Sequence, residues 1–196
     1  MRRKAFVLCA SLFFASFSLV QAQLQQGTVM VGSDISHLDL SLNSGSNFSF
    51  TIDPKAAWFI KNNFAVGAYM HFDLSTAKGA GTSVDYGIGP LARLYFNDSA
   101  ISLLRHGRFF IEANAGIEGH NPAVGTSTNG LGLGFGPGYA YFISPNIGFE
   151  TLLKYQGIVG FGSSVTSSDL VLAIGFQIYI NPNRVERQIK NEPKVK

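Results

Sequence analysis

Asp169-Leu-Val-Leu-Ala-Ile-Gly-Phe-Gln-Ile-Tyr-Ile180 alternates through twelve residues. Leu170, Leu172, Ile174, Phe176, Ile178 and Ile180 fall on one face, and Asp169, Val171, Ala173, Gly175, Gln177 and Tyr179 on the other. A side-chain period of two is the signature of a β-strand. The apolar face is bulky, and the opposite face is small or polar. Twelve residues are enough to cross a bilayer as a tilted strand, which takes about 9–11. Similar stretches recur upstream. Eight strands are predicted, at 28–35, 47–59, 64–74, 83–96, 108–118, 130–142, 146–155 and 169–180.

The two faces need an orientation, because a soluble barrel would turn its apolar face inward. Three features set the apolar face outward, toward lipid. First, it is almost free of charge: Val84, Tyr86, Ile88, Pro90, Ala92 and Leu94 in the fourth strand, and Phe109, Ile111, Ala113, Ala115 and Ile117 in the fifth. A charge at the bilayer midplane on this face costs about 2–4 kcal/mol. Second, the sixth strand sets Gly130, Gly132, Gly134, Gly136 and Gly138 against Leu131, Leu133, Phe135, Pro137 and Tyr139. Solvent demands no such glycine stripe, whereas a narrow lumen crowded by large neighbours does. Third, aromatic residues gather near strand ends, at Phe48, Trp58, Phe64, Phe72, Phe96, Phe109, Tyr141, Tyr155 and Tyr179. Rings there suit the headgroup level.

An internal repeat supports the strand register. Pro54–Ala65 (PKAAWFIKNNFA) parallels Pro137–Gly148 (PGYAYFISPNIG), and Gly89–Asn97 is a partial third copy. Each copy carries an aromatic residue or pair, then an Asn-marked turn that opens the next strand. The remaining connections, 36–46, 75–82, 119–129 and 156–168, are longer and rich in Gly, Ser and Thr. Short turns at one rim and longer loops at the other put both chain ends on the periplasmic side. The turn 97–107 is long for that rim, and Asp98 in it is expected to cap one helical turn carrying Ile101 and Leu104.

The N-terminus reads as an export signal. Arg2, Arg3 and Lys4 precede the apolar run Ala5–Val20, and Val20-Gln21-Ala22 fits a cleavage site, so residues 1–22 are expected to be removed. The run is short for a spanning helix. Cys9, the only cysteine, lies inside the signal, so no disulfide or Cys-based metal site is expected in the mature chain. The net charge of +3 is misleading. Of 15 Lys+Arg, three belong to the signal, which leaves 12 against 12 Asp+Glu. That neutral balance excludes a nucleic-acid footprint. Charged residues make up 14% of the chain, against about 25% in an average soluble domain. After Ile180 a basic tail, residues 181–196, opens with Asn-Pro-Asn, which stops a strand. It is expected to lie solvated in the periplasm.

With the signal, eight strands, the Gly-Pro-x-x-Arg-x-Tyr-Phe string at Gly89–Phe96 and the closing Gly-Phe-x-Ile-x-Ile at Gly175–Ile180, residues 27–180 resemble the small outer-membrane β-barrel family, of the OmpA transmembrane-domain and OmpX kind. The resemblance implies an all-β fold: an eight-stranded antiparallel up-and-down transmembrane β-barrel over residues 23–180, in the bacterial outer membrane. It also implies outer-membrane lipid and the assembly machinery as partners. One departure is that the last strand is followed by a 16-residue tail, so an assembly signal in it must be internal. A monomer is expected.

By parity the lumen receives Asp34, Asp53, Lys55, His71, Asp73, Asp85, Arg93, Arg108, Glu112, Asn114, Glu150 and Lys154. Charges in so narrow a space must pair and hydrogen-bond, and Arg93 and Lys154 are expected to contact carboxylates. The expected role is structural or surface interaction through a closed barrel. The alternatives are passage of a small or hydrophobic solute and, less favoured, lipid modification. Catalysis is not expected. No Gly-x-Ser-x-Gly string occurs. Of the four histidines, His37 and His120 lie near loops, His106 in the long turn and His71 on the lumen face. His120 beside Ser127 or Ser167 on the outer rim is a conceivable hydrolase pairing, but many serines sit in those loops by composition alone. His71 and Asp73 share a face, which reads as a hydrogen-bonded pair rather than a metal site. No cofactor is expected. Ile158, Val159 and Phe161 read either as strand continuing above the membrane or as an apolar adhesive surface.

Overall fold

The computed structural model describes residues 24–40, 47–79, 81–96, 107–161 and 166–182. The signal segment, the helical turn anticipated at Asp98, His106 and the tail from residue 183 lie outside the described residues.

The described chain is eight antiparallel strands closed into a barrel. They are β1 (Val29–Leu40), β2 (Asn47–Lys61), β3 (Phe64–Ala77), β4 (Gly81–Tyr95), β5 (Gly107–Asn121), β6 (Thr128–Ser144), β7 (Ile147–Gly160) and β8 (Thr166–Ile180). Each pairs with its sequence neighbour, and β8 closes on β1 from Val29↔Ile180 to Ile35↔Ile174. Closure removes every sheet edge, as lipid requires of a spanning sheet. The two-residue turns at 62–63 and 145–146 lie at the same rim as the chain ends, which we call the periplasmic rim.

Alternation of burial gives the faces their sense. Along β6, Gly130, Gly132, Gly134, Gly136 and Gly138 are buried, whereas Leu131, Leu133, Phe135 and Pro137 between them are exposed. In β8, Ala173, Gly175, Gln177 and Tyr179 turn inward, and the six even-numbered aliphatic and aromatic residues turn outward. An apolar outer surface with a polar lumen is the inverse of a soluble barrel, and it is the pattern of a barrel in lipid.

The glycine stripe makes room for particular neighbours. A Cβ on Gly132 would collide with the Glu118 carboxylate, one on Gly138 with the Phe110 ring, and one on Gly134 with the Asn114 amide. The internal repeat also has a structural counterpart. Both full copies carry a register shift at the same place, between Phe59 and Lys61 in β2 and between Phe142 and Ser144 in β6. Asn63 in the first turn adopts a left-handed φ of 63°, a conformation Asn tolerates well.

The strands run further at the outer rim than the sequence suggests. β1 continues to Leu40, β5 to Asn121 and β7 to Gly160. The outer connection between β3 and β4 shrinks to residues 78–80, so the contrast between long and short connections is weak there. The glycines of these segments lower strand propensity, but hydrogen bonding to the adjacent strand overrides it once the barrel has set the register. Ile158 and Val159 consequently belong to β7, in line with the first of their two readings.

Candidate functional site

The lumen is stacked in three layers. The lowest, at the periplasmic rim, is aromatic. Each strand descending to that rim brings one ring inward near its end: Phe59 from β2, Tyr95 from β4, Phe142 from β6 and Tyr179 from β8, all nearly inaccessible to solvent. Phe110 of β5 joins them. Centroids lie 5.8 Å apart for Phe59 and Tyr95, 5.2 Å for Phe142 and Tyr179, and 5.4 Å for Tyr95 and Phe110. These are the separations of favourable ring pairs. The hydroxyls of Tyr95 and Tyr179 share a 2.8 Å hydrogen bond across the axis. Met30, Leu152 and Ala140 pack into the same stopper.

The aromatic residues at the strand ends thus divide into two sets. Trp58, Phe96, Phe109, Tyr141 and Tyr155 are exposed on the lipid face. Tyr179, grouped with them by its place near a strand end but inward by the parity of the closing strand, is 1% exposed and points into the barrel. Its odd number decides this, since Ile178 and Ile180 occupy the outward positions beside it.

The middle layer is an ion-pair cluster. Arg93 is fully buried, with its guanidinium 4.1 Å above the Phe110 ring. Its Nε donates to Glu112 Oε2 at 2.8 Å, and its Nη2 contacts the same oxygen. Nη1 and Nη2 donate to Glu150 Oε2 and Oε1 at 2.6 and 2.8 Å, which is a bidentate fork. Lys55 Nζ donates to Asp34 Oδ2 at 2.5 Å and to Glu112 at 2.9 and 3.1 Å. Gln177 Nε2 donates to Asp34 Oδ1 at 3.1 Å and Glu150 Oε1 at 2.8 Å, joining β1 to β7 across the closing strand. Charges this deeply buried persist only with such saturation.

The upper layer opens toward the outer rim and is looser. His71 Nδ1 lies 2.6 Å from Asp53 Oδ1, and Lys154 Nζ lies 3.8 Å from Asp53 Oδ2. Thr51 hydrogen-bonds Asp73. Tyr69 donates to Glu118 Oε1 at 3.0 Å. His120 Nδ1 meets Asp85 Oδ1 at 2.5 Å, with both side chains partly in solvent. Of these groups His71, Asp85, Glu118 and His120, together with Gln156 and Asp169, help to wall a cavity of about 310 Å³.

The residues assigned to the lumen by parity therefore occupy different places. Asp34, Lys55, Arg93, Glu112 and Glu150 form the middle cluster. Asp53, His71, Asp73, Asp85 and Lys154 lie above it, and Asn114 is buried against Gly134. Arg108 stands apart at the periplasmic rim, where it donates to the Gly107 carbonyl at 2.9 Å. His71 bonds Asp53, not Asp73, because Asp53 reaches it from the neighbouring strand. Glu118 and His120 extend the parity of Glu112 and Asn114 along β5; Glu118 closes the expected strand but is missing from the expected lumen set, and His120 lies beyond a strand ended at residue 118. Gln177 lacks charge, so a search for paired charges passes over its bridging role. Among the described residues, no three His, Cys, Asp or Glu side chains converge as metal ligands.

The molecule is an eight-stranded integral barrel of the outer-membrane type. No protein-family model and no curated protein matches the sequence. Solved structures do match in fold. Neisserial surface protein A aligns over 77% of this chain and 95% of its own, with a TM-score of 0.55 and 18% identity. The N-terminal β-barrel domain of Pseudomonas aeruginosa OprF aligns over 79% of this chain and 98% of its own, with a TM-score of 0.49 and 10% identity. OprG from the same organism aligns over 80% and 97%, with a TM-score of 0.48 and 11% identity.

Proposed function

We propose that this protein is a closed, non-catalytic, monomeric barrel that anchors in outer-membrane lipid and serves a structural or surface-recognition role through its outer rim. The observation that carries this reading is the buried cluster of Arg93, Lys55, Asp34, Glu112 and Glu150 seated on the aromatic stopper. An eight-stranded barrel is only just wide enough to be filled by its own side chains. Here two consecutive layers do so, leaving the outer mouth as the part of the lumen open to a partner.

Liposome swelling tests the reading. Vesicles containing the full-length protein should swell no faster in small sugars than empty vesicles. Swelling that depends on solute size would overturn closure and favour transport. Lipid A mass spectra from cells with and without the protein address catalysis. Identical spectra are expected, and a protein-dependent change in acylation would replace the recognition reading with an enzymatic one.

A further inference from the structure

The seam between β1 and β8 is laddered only over its lower half. Its pairing ends at Ile35↔Ile174, whereas the ladders between all other neighbouring strands continue toward the outer rim. The break coincides with a bulge. Against β2 the register shifts between Ile35 and His37, which leaves Ser36 as an extra residue, and a bulge bends its strand. Both strands run on past this point, β1 to Leu40 and β8 to Thr166, so the edges that closure removes below reappear above it. Tyr179 N–H donates toward β7, to Asn146, and alternate residues of a strand turn their backbone groups to opposite sides. The N–H and C=O groups of Leu172, Leu170 and Ser168 therefore point into the seam. Among the described residues none of them has a backbone partner there.

A cleft of about 520 Å³ lies at this gap, with Ser36 and His37 on one side, Leu170 and Leu172 on the other, and His71 and Gln156 within. That volume is within the range for ligand sites, roughly 300–1,000 Å³. His71 and Gln156 also wall the outer cavity, so the cleft joins the lumen to the lipid face. Val171, inward by parity, is half-buried there, whereas Ala173 and Gly175 below it are buried. Leu170 pairs with Tyr155, whose exposed ring packs on that of Phe135 at 5.6 Å. Such rings on the lipid face suit the headgroup level. Open backbone groups at the edge of the hydrocarbon are costly unless a polar group meets them.

These walls select the occupant. Leu170 and Leu172 continue the lipid-facing row of Ile174, Phe176 and Ile178, so a chain from the outer leaflet reaches the cleft along an existing lipid contact. The charged groups inside are already engaged, His71 by Asp53, Asp85 by His120 and Asp73 by Thr51. What stays open is a strand edge, an alternation of donors and acceptors without net charge. We propose that the cleft seats an uncharged single-chain amphiphile from the outer leaflet. Its alkyl chain lies along Leu170 and Leu172, and its hydroxyl-bearing head meets the open edge of β8. The site goes beyond the role proposed above and does not depend on a sealed floor, because it opens on lipid and not on the periplasm.

Photolabelling of the full-length protein in phosphatidylcholine nanodiscs tests it, with a 1-monoacylglycerol carrying a diazirine in its chain as the probe. Saturable labelling of Val171 and His37 is expected, displaced by unlabelled 1-monooleoylglycerol. Phosphatidylcholine with the same diazirine should label only outward residues such as Ile88 and Ile117, without saturating. Deleting Ser36 removes the bulge, keeps His37 opposite Thr51 and sets it opposite Ala173, so that the seam zips shut. In that variant, shown to be folded by heat-modifiable migration, saturable labelling should be lost and hydrogen exchange at the Leu170 and Leu172 amides should slow. Val171→Trp, which fills the cleft in the native register, should lose the labelling too. Labelling confined to outward residues, equal labelling of Val171 by the phosphatidylcholine probe, labelling that survives in either folded variant, or copies cross-linked to each other through Leu170 and Leu172 would overturn the proposal.

Discussion

At the periplasmic end of the lumen, rings from four descending strands interlock and leave no room for solvent. At the outer end, histidines and carboxylates of comparable size stand around an open cavity. Both ends have the same backbone and the same number of strands, so barrel geometry does not explain the difference. Side-chain chemistry does. Aromatic rings fill a narrow cylinder and attract one another, whereas carboxylates of like charge stand apart unless cations are placed between them. Arg93 and Lys55 occupy the boundary. Below them the lumen is apolar, and above them acidic groups outnumber cations.

Substitutions along the axis should grade accordingly. Arg93→Ala should be the most damaging, because it leaves Glu112 and Glu150 buried without their main partner. A loss of about 3–5 kcal/mol is expected, measured by urea unfolding from lipid vesicles. A loss below about 1 kcal/mol would mean that the cluster is hydrated rather than sealed. Phe59→Ala removes one ring of the stopper and should cost about 3 kcal/mol in the same assay. If the cost is negligible, the periplasmic end is not tightly packed. Gly132→Val forces the Glu118 carboxylate to move, and overpacking of this kind costs about 1–3 kcal/mol. His120→Ala should be the mildest, under about 1 kcal/mol, because its pair with Asp85 is half in solvent. A large loss there would show that the mouth is as rigid as the floor.

The axis also marks how far the sequence could be read. The side-chain parity of β6 and β8 is plain, because Gly130 to Gly138 and Leu170 to Ile180 alternate over whole strands. The stopper is harder to see. In Trp58-Phe59, Tyr95-Phe96 and Tyr141-Phe142 one ring faces lipid and its neighbour the lumen, and either ring suits either place. Only the parity of each strand separates them, and Tyr179 illustrates the point. The partners within the ion-pair cluster are less legible still. Gln177 meets Asp34 across 143 positions of chain, and such contacts depend on the closing register of β1 with β8. At the outer rim, strand ends escape composition-based reading because neighbouring strands hold Gly- and Ser-rich segments in the sheet. His120, past the expected end of β5 at residue 118, is concealed for that reason.

Closure of the barrel by the stopper and the ion-pair cluster is tested most directly by single-channel recording of the full-length protein in planar bilayers. The filled lumen predicts a baseline without stable current steps at moderate voltage and salt. Reproducible steps of constant amplitude would contradict it and would require a water-filled path past Arg93.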